Sequence, residues 1–130
     1  MKFARYVFGL ASAYGLLVTL PLFFSEQRFG IDYPPPITHA EYFYSFAAVT
    51  LVWQLLFIAV AVRPLRYRVV IPFCILEKLG LLPAFIIMFP QGRFPLLWIP
   101  LMLIDFAFGA AFAAAFFKTR EMATKESTAR

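Results

Sequence analysis

The sequence predicts an all-α fold: a four-helix transmembrane bundle of up-down topology, an integral membrane protein with both termini in the cytoplasm. Three observations lead there. Of the 130 residues, 62% are apolar and only 15% charged, whereas a soluble domain carries roughly 25% charged residues. A water-exposed surface on so small a chain would be left with broad apolar patches. The charges that exist are gathered between four long apolar stretches, each close to the about 20 residues that cross a bilayer. Finally, the basic residues fall on alternate flanks of those stretches in a strongly unequal way. The apolar content excludes a disordered chain. A single cysteine, Cys74, excludes a disulfide-stapled module and a zinc fold.

The spans follow from the gaps between charges. Residues 6–25, between Arg5 and Glu26, form the first crossing, and residues 42–62, between Glu41 and Arg63, the second. The third follows Arg68 and is interrupted by Glu77 and Lys78; the fourth runs from Pro95 to Phe117 around Asp105. The expected helices cover about 4–25, 40–62, 69–90 and 95–117 of a single domain, 1–117. Residues 118–130, polar and of alternating charge, are expected to be a frayed cytoplasmic tail. Ala11-Ser12-Ala13 fits the small-x-small pattern of a signal-peptide cleavage site, but cutting there leaves an apolar core of only Tyr6 to Leu10. The first segment is therefore expected to be retained.

Boundary chemistry supports the spans. Thr38-His39-Ala40-Glu41 reads as a capping box that starts the second helix, with threonine and glutamate each satisfying the other's backbone N–H. Pro34-Pro35-Pro36 before it favours an extended left-handed rod. Tyr6, Tyr33, Tyr42, Tyr44, Tyr67 and Trp98 lie near span ends, where amphipathic rings settle. Pro21, Pro72, Pro83 and Pro100 fall inside spans and are expected to bend them.

Orientation comes from counting lysine and arginine. Lys2, Arg5, Arg63, Arg66, Arg68, Lys118, Arg120, Lys125 and Arg130 make nine on the side of the termini, against Arg28 and Arg93 opposite. The termini are expected in the cytoplasm, and the protein in the cytoplasmic (inner) membrane as a multi-pass chain. The same bias accounts for the net charge of +5 and suits contact with anionic headgroups. The basic residues are split among short flanks with no folded reading surface, so nucleic acid is not an expected partner.

Five polar residues stand inside the spans: Ser12, Gln54, Glu77, Lys78 and Asp105. Counted from the cytoplasmic helix ends at 1.5 Å per residue, they fall in a slab roughly 6 Å thick. Each shares its helix face with small residues: Gly9, Gly15 and Thr19; Ala47, Thr50 and Ala61; Gly80 and Ala84; Gly109 and Ala113. Close helix packing selects such faces, which turns the polar groups inward and leaves the large residues, Phe106 and Phe116 among them, to lipid. Lys78 and Asp105 are expected to pair, with Glu77 bonded to Gln54 and Ser12. One negative charge is left over, to be met by protonation of Glu77 or by a cation. The cluster reads either as glue that fixes helix register or as a site for a ligand or proton.

Other candidates carry less. His39 and Glu41, with Asp32 and Glu26, form an outer-face group read as a wet cap; a single histidine without a spaced partner does not make a metal site. Nucleophile-elbow and phosphate-loop motifs are absent from the sequence, and Cys74 reads as an apolar filler. No cofactor and no metal are expected.

The stretch YPPPITHAEYFYSFAAVTLVWQ, with RPLRYR and LEKLG after it, resembles small bacterial four-span membrane proteins loosely grouped as DoxX-like. That resemblance implies the architecture and supplies no catalytic residue. Two further likenesses are by residue type alone. Small multidrug transporters are four-span proteins with an intramembrane glutamate, here Glu77. Sterol-isomerase-like bundles use interior acids and an aromatic cavity, here Glu77, Asp105 and Trp53. The expected function is non-enzymatic: an accessory or structural membrane protein, or a binder of a small lipophilic molecule. Its partners would be the bilayer, such a molecule, and a second copy or another membrane protein. The alternative is an oligomeric proton-coupled transporter using Glu77, and the third reading an intramembrane isomerase or oxidoreductase subunit.

Overall fold

The computed structural model describes residues 1–128. It is all-helical, with no strand among the described residues. Helix α1 (Lys2–Thr19) runs into a tighter 3-10 turn at Leu20–Phe24, where Pro21 has no N–H to continue the α-helical ladder. A short helix α2 (Glu26–Asp32) and a proline strap then lead to α3 (Ala40–Val62). The third crossing is α4 (Ile71–Leu79) followed by α5 (Leu82–Met88), and the fourth is α6 (Ile99–Thr128). Four helical segments, Lys2–Phe24, Ala40–Val62, Arg68–Met88 and Leu96–Met122, are long and apolar enough to cross a membrane. Their outer faces are built of exposed Leu10, Leu17, Val52, Leu55, Phe73, Leu76 and Leu103. Apolar groups presented outward along every span are what a hydrocarbon solvent accepts and water does not.

The helices associate as two pairs, α1 with α3 and α4 with α6, joined by contacts of α1 on α6. At the end that carries both termini the pairs close on a core of Ala4, Phe8, Ala11, Phe57, Val60, Ile71, Cys74, Phe112 and Ala115. Phe8 stacks on Phe112 at 4.1 Å, and Phe57 meets that ring edge-on at 5.1 Å. Lys118 lies over the Phe3 ring and Arg68 over Phe116, each about 4 Å from the centroid, so basic side chains cover the aromatic edges there.

Several local expectations are corrected. Thr38 caps nothing: α3 begins one residue late for the box, with His39 at the N-cap and no side-chain cap bond, and the Glu41 carboxylate turns to His39 Nδ1 at 3.1 Å. The proline strap is bent, with a cis Pro34–Pro35 bond, and folds back so that a Cβ on Gly30 would come within 3.2 Å of Pro36 Cα. Glycine at that position is what lets the strap close on α2. Pro72 and Pro100 stand in the first turns of α4 and α6, where a missing N–H costs little. Pro83 acts differently, because α4 stops at Leu79 and α5 starts anew at Leu82. The carbonyl four residues before Pro83, that of Leu79, has no N–H to accept from, and the span breaks at Gly80. Lys118 to Thr128 continue α6 as helix. Lysine, arginine, glutamate, methionine and alanine are good helix formers with no Gly or Pro among them. Buried Thr119 also ties its hydroxyl to the Ala115 carbonyl at 2.8 Å. Residues 129–130 of the expected tail lie outside the described residues.

Candidate functional site

Above the aromatic core the two helix pairs separate. Gly80, at the break between α4 and α5, contributes no side chain. The result is a cavity of about 400 Å³ between the pairs. Its floor is the polar layer, formed by Gln54, Glu77, Lys78 and Asp105; its walls include Tyr14, Thr50, Leu101 and Met102. Phe29 and Tyr33, from α2 and the residue after it, and Trp98 border it at the other end. A second, more open hollow of about 440 Å³ adjoins there and shares Phe29, Tyr33, Leu81 and Trp98 with the first. Those four side chains stand between the two hollows.

The polar layer is ordered around Lys78. Its Nζ donates to Asp105 Oδ1 at 3.0 Å, the pairing the sequence predicts, and it lies 3.2 Å from Glu77 Oε2. It also sits 5.3 Å from the centre of the Phe57 ring, so the ammonium faces the aromatic core on that side. Gly109 of α6 packs against the stem of Lys78, whose Cβ lies 3.4 Å from where a Cβ on the glycine would be. Burial is unequal across the three charges. The Lys78 side chain is 6% exposed, Glu77 18% and Asp105 37%. All three border the cavity, with Lys78 the most buried and Asp105 the most open.

Gln54 and Ser12 do something other than bond to Glu77. Ser12 Oγ donates to the Gln54 backbone carbonyl at 3.0 Å, a link between α1 and α3. Gln54 Nε2 donates to the Thr50 carbonyl at 3.1 Å in its own helix, and its amide lies where a Cβ on Gly15 would be. A nitrogen must face that carbonyl, which fixes the other terminal atom as oxygen. Gln54 Oε1 has no donor, and Glu77 Oε2, although within ion-pair range of Lys78, is not aligned with any donor as a hydrogen bond. Glu77 therefore pairs with Lys78 beside it in α4 and not with Gln54.

Other sequence candidates resolve simply. His39 and Glu41 pair with each other in the open, Asp32 pairs with Arg28 at 2.9 Å, and the structure does not bring these groups together. Among the described residues no three His, Cys, Asp or Glu side chains converge on one point. Trp53 does not line the cavity but packs beside the aromatic core; Trp98 is the tryptophan at the site. Phe116 is half-buried beneath Arg68, and Phe106 also is partly covered. The residues that sequence reasoning missed are Tyr14, Trp98 and Met102. Tyr14 follows from Gly15 by a single step, but no sequence signal separates it from a lipid-facing ring.

Neither a protein-family model, nor a curated protein, nor a solved structure matches this chain.

Proposed function

We propose that this is a non-enzymatic, multi-pass protein of the cytoplasmic membrane, with both termini inside, that holds a small lipophilic molecule between its helix pairs. The observation that carries the reading is the cavity on the polar layer: about 400 Å³, within the range of roughly 300–1,000 Å³ in which small-molecule sites fall. It has apolar walls and a few convergent polar groups at one end, the pattern of sites that orient an amphipathic ligand. A layer that served as glue alone would close on itself. Here Asp105 stays partly open and lines the cavity, at a depth where an uncovered charge is costly. The proton-coupled transporter shares Glu77 but needs access from both sides. The Phe8, Phe57 and Phe112 rings fill the terminal end, which favours a binder.

Fluorescence tests the reading. The chain has two tryptophans, so in a Trp53→Phe variant Trp98 alone reports, from the cavity wall. In phosphatidylcholine nanodiscs, a bromine-tailed twelve-carbon alcohol is expected to quench it saturably, and a blocking Thr50→Leu substitution to remove the saturable part. Quenching that rises linearly in both, as partition into lipid would give, sinks the proposal. Orientation is checked separately: a reporter fused after Arg130 should be active in the cytoplasm, and activity outside it overturns the topology.

A further inference from the structure

The charge and hydrogen-bond inventory of the cavity floor goes one step further and names a ligand class, resting on the binder reading above. Glu77, Lys78 and Asp105 carry two negative charges and one positive. The single cation is spent: Lys78 is buried, bound to Asp105 at 3.0 Å, close to Glu77 at 3.2 Å, and capped by the Phe57 ring. Asp105 is the most open of the three charges, and only its Oδ1 is bound. The cavity walls carry neutral hydroxyls, those of Tyr14, Thr19 and Thr50, so what distinguishes the floor is its excess negative charge. An anionic head would therefore meet two carboxylates. A neutral hydroxyl would satisfy one acceptor and leave the charge.

We propose that the cavity takes a lipophilic amine in its charged form, an ammonium seated on the Asp105 carboxylate beside Glu77 with an apolar body lying along Tyr14, Leu101 and Met102 toward Trp98. The ammonium donates to Asp105, the more open of the two carboxylates. It also brings the net charge of the layer to zero, which a low-dielectric site demands. The remaining dimension fits a chain or small ring system: Trp98 lies seven positions from Asp105 along the fourth crossing, roughly 10 Å at helical rise. A bare metal ion would use the floor and leave the apolar walls without a role.

The test compares heads on one tail. With Trp98 as reporter in the Trp53→Phe protein in phosphatidylcholine nanodiscs, ω-bromododecyl amine, alcohol and carboxylate are titrated, with Thr50→Leu measuring partition alone. The amine is expected to bind roughly tenfold or more tighter than the alcohol, the difference a charge-assisted hydrogen bond makes, and the carboxylate more weakly than either. Glu77→Gln should erase the preference for amine over alcohol while alcohol still saturates. If Glu77→Gln does not fold, the ranking of heads on the unaltered floor decides by itself, with Asp105→Asn as second variant. Equal midpoints for amine and alcohol would keep the binder and overturn the amine. A tighter carboxylate would do the same and would mean that Lys78 turns toward the ligand. Absence of saturation with all three heads defeats the amine and the binder together.

Discussion

The two halves of this bundle are made from the same helices and solve opposite problems. In the half nearest the termini, Phe8, Phe57 and Phe112 interlock within a buried apolar cluster. In the other half the same helices carry Gly15, Thr50 and Gly80, the third span breaks, and about 400 Å³ stays open. Lys78 sits on the seam, with its ammonium above Phe57 and below the cavity. In a bilayer, lipid is as apolar as the core, so burial of hydrocarbon does not hold helices together and van der Waals packing must. The filled half can do this. The open half cannot, which leaves it free to hold something else.

That division makes a ranking of effects. The largest is expected at the seam. Lys78→Met strands two carboxylates that share one buried cation and should cost about 4 kcal/mol, as removing one partner of a buried ionic group does. Equilibrium unfolding in mixed micelles measures it, and the triple variant with Glu77→Gln and Asp105→Asn should recover most of the loss. Unchanged stability in Lys78→Met alone would mean that the carboxylates are solvated and the seam is not a seam. Next comes the filled half. Phe112→Ala empties the place where two aromatic rings converge and should cost about 3 kcal/mol. Amine and alcohol binding at Trp98 should be unaffected in the protein that remains folded. A shift in the ligand midpoint would show the halves to be coupled.

A smaller effect is expected between α1 and α3. Ser12→Ala removes one hydrogen bond, to the Gln54 carbonyl, and interhelical bonds of this kind average about 0.6 kcal/mol in membranes. The same unfolding measurement would expose a loss several times larger, which would mean that this bond is the main tie between α1 and α3.

How much of this could be read from the residues alone depends on which half is asked about. The polar layer was legible because charge inside a 20-residue apolar run is costly and needs a reason. Small residues at helical spacing then gave the direction in which Asp105 faces; on α4 they pointed to Glu77, whereas the structure buries Lys78 more deeply. The filled half was not legible. With 17 phenylalanines in the chain, ring content cannot separate Phe112, which is buried, from Phe73, which faces outward. In soluble proteins polarity marks the outside, but a bilayer removes that mark. The cavity was hidden for a related reason: Gly80 and Pro83 advertise a break, but whether a break is filled by a neighbour or left open depends on α1 and α6. Glu77 was placed against Gln54 on charge grounds, whereas its adjacency to Lys78 made the nearer partner available.

The smallest effect has the opposite sign and separates the halves most cleanly. Thr50 lines the cavity, and its side-chain hydroxyl is not the atom that holds Gln54; the backbone carbonyl is. Thr50→Leu therefore adds methyl groups to open space while leaving the Gln54 bond in place. Filling a void of this kind typically stabilises, here by about 0.5 kcal/mol. An added methylene in the filled half would instead force neighbours off their rotamers and destabilise. Thermal unfolding of Thr50→Leu beside Ala11→Leu, a buried position in the aromatic half, makes the comparison directly. A gain for the first with a loss for the second is the expected pair of signs. A loss for both would mean that the upper half is packed as tightly as the lower, and a molecule could enter only by forcing the helix pairs apart.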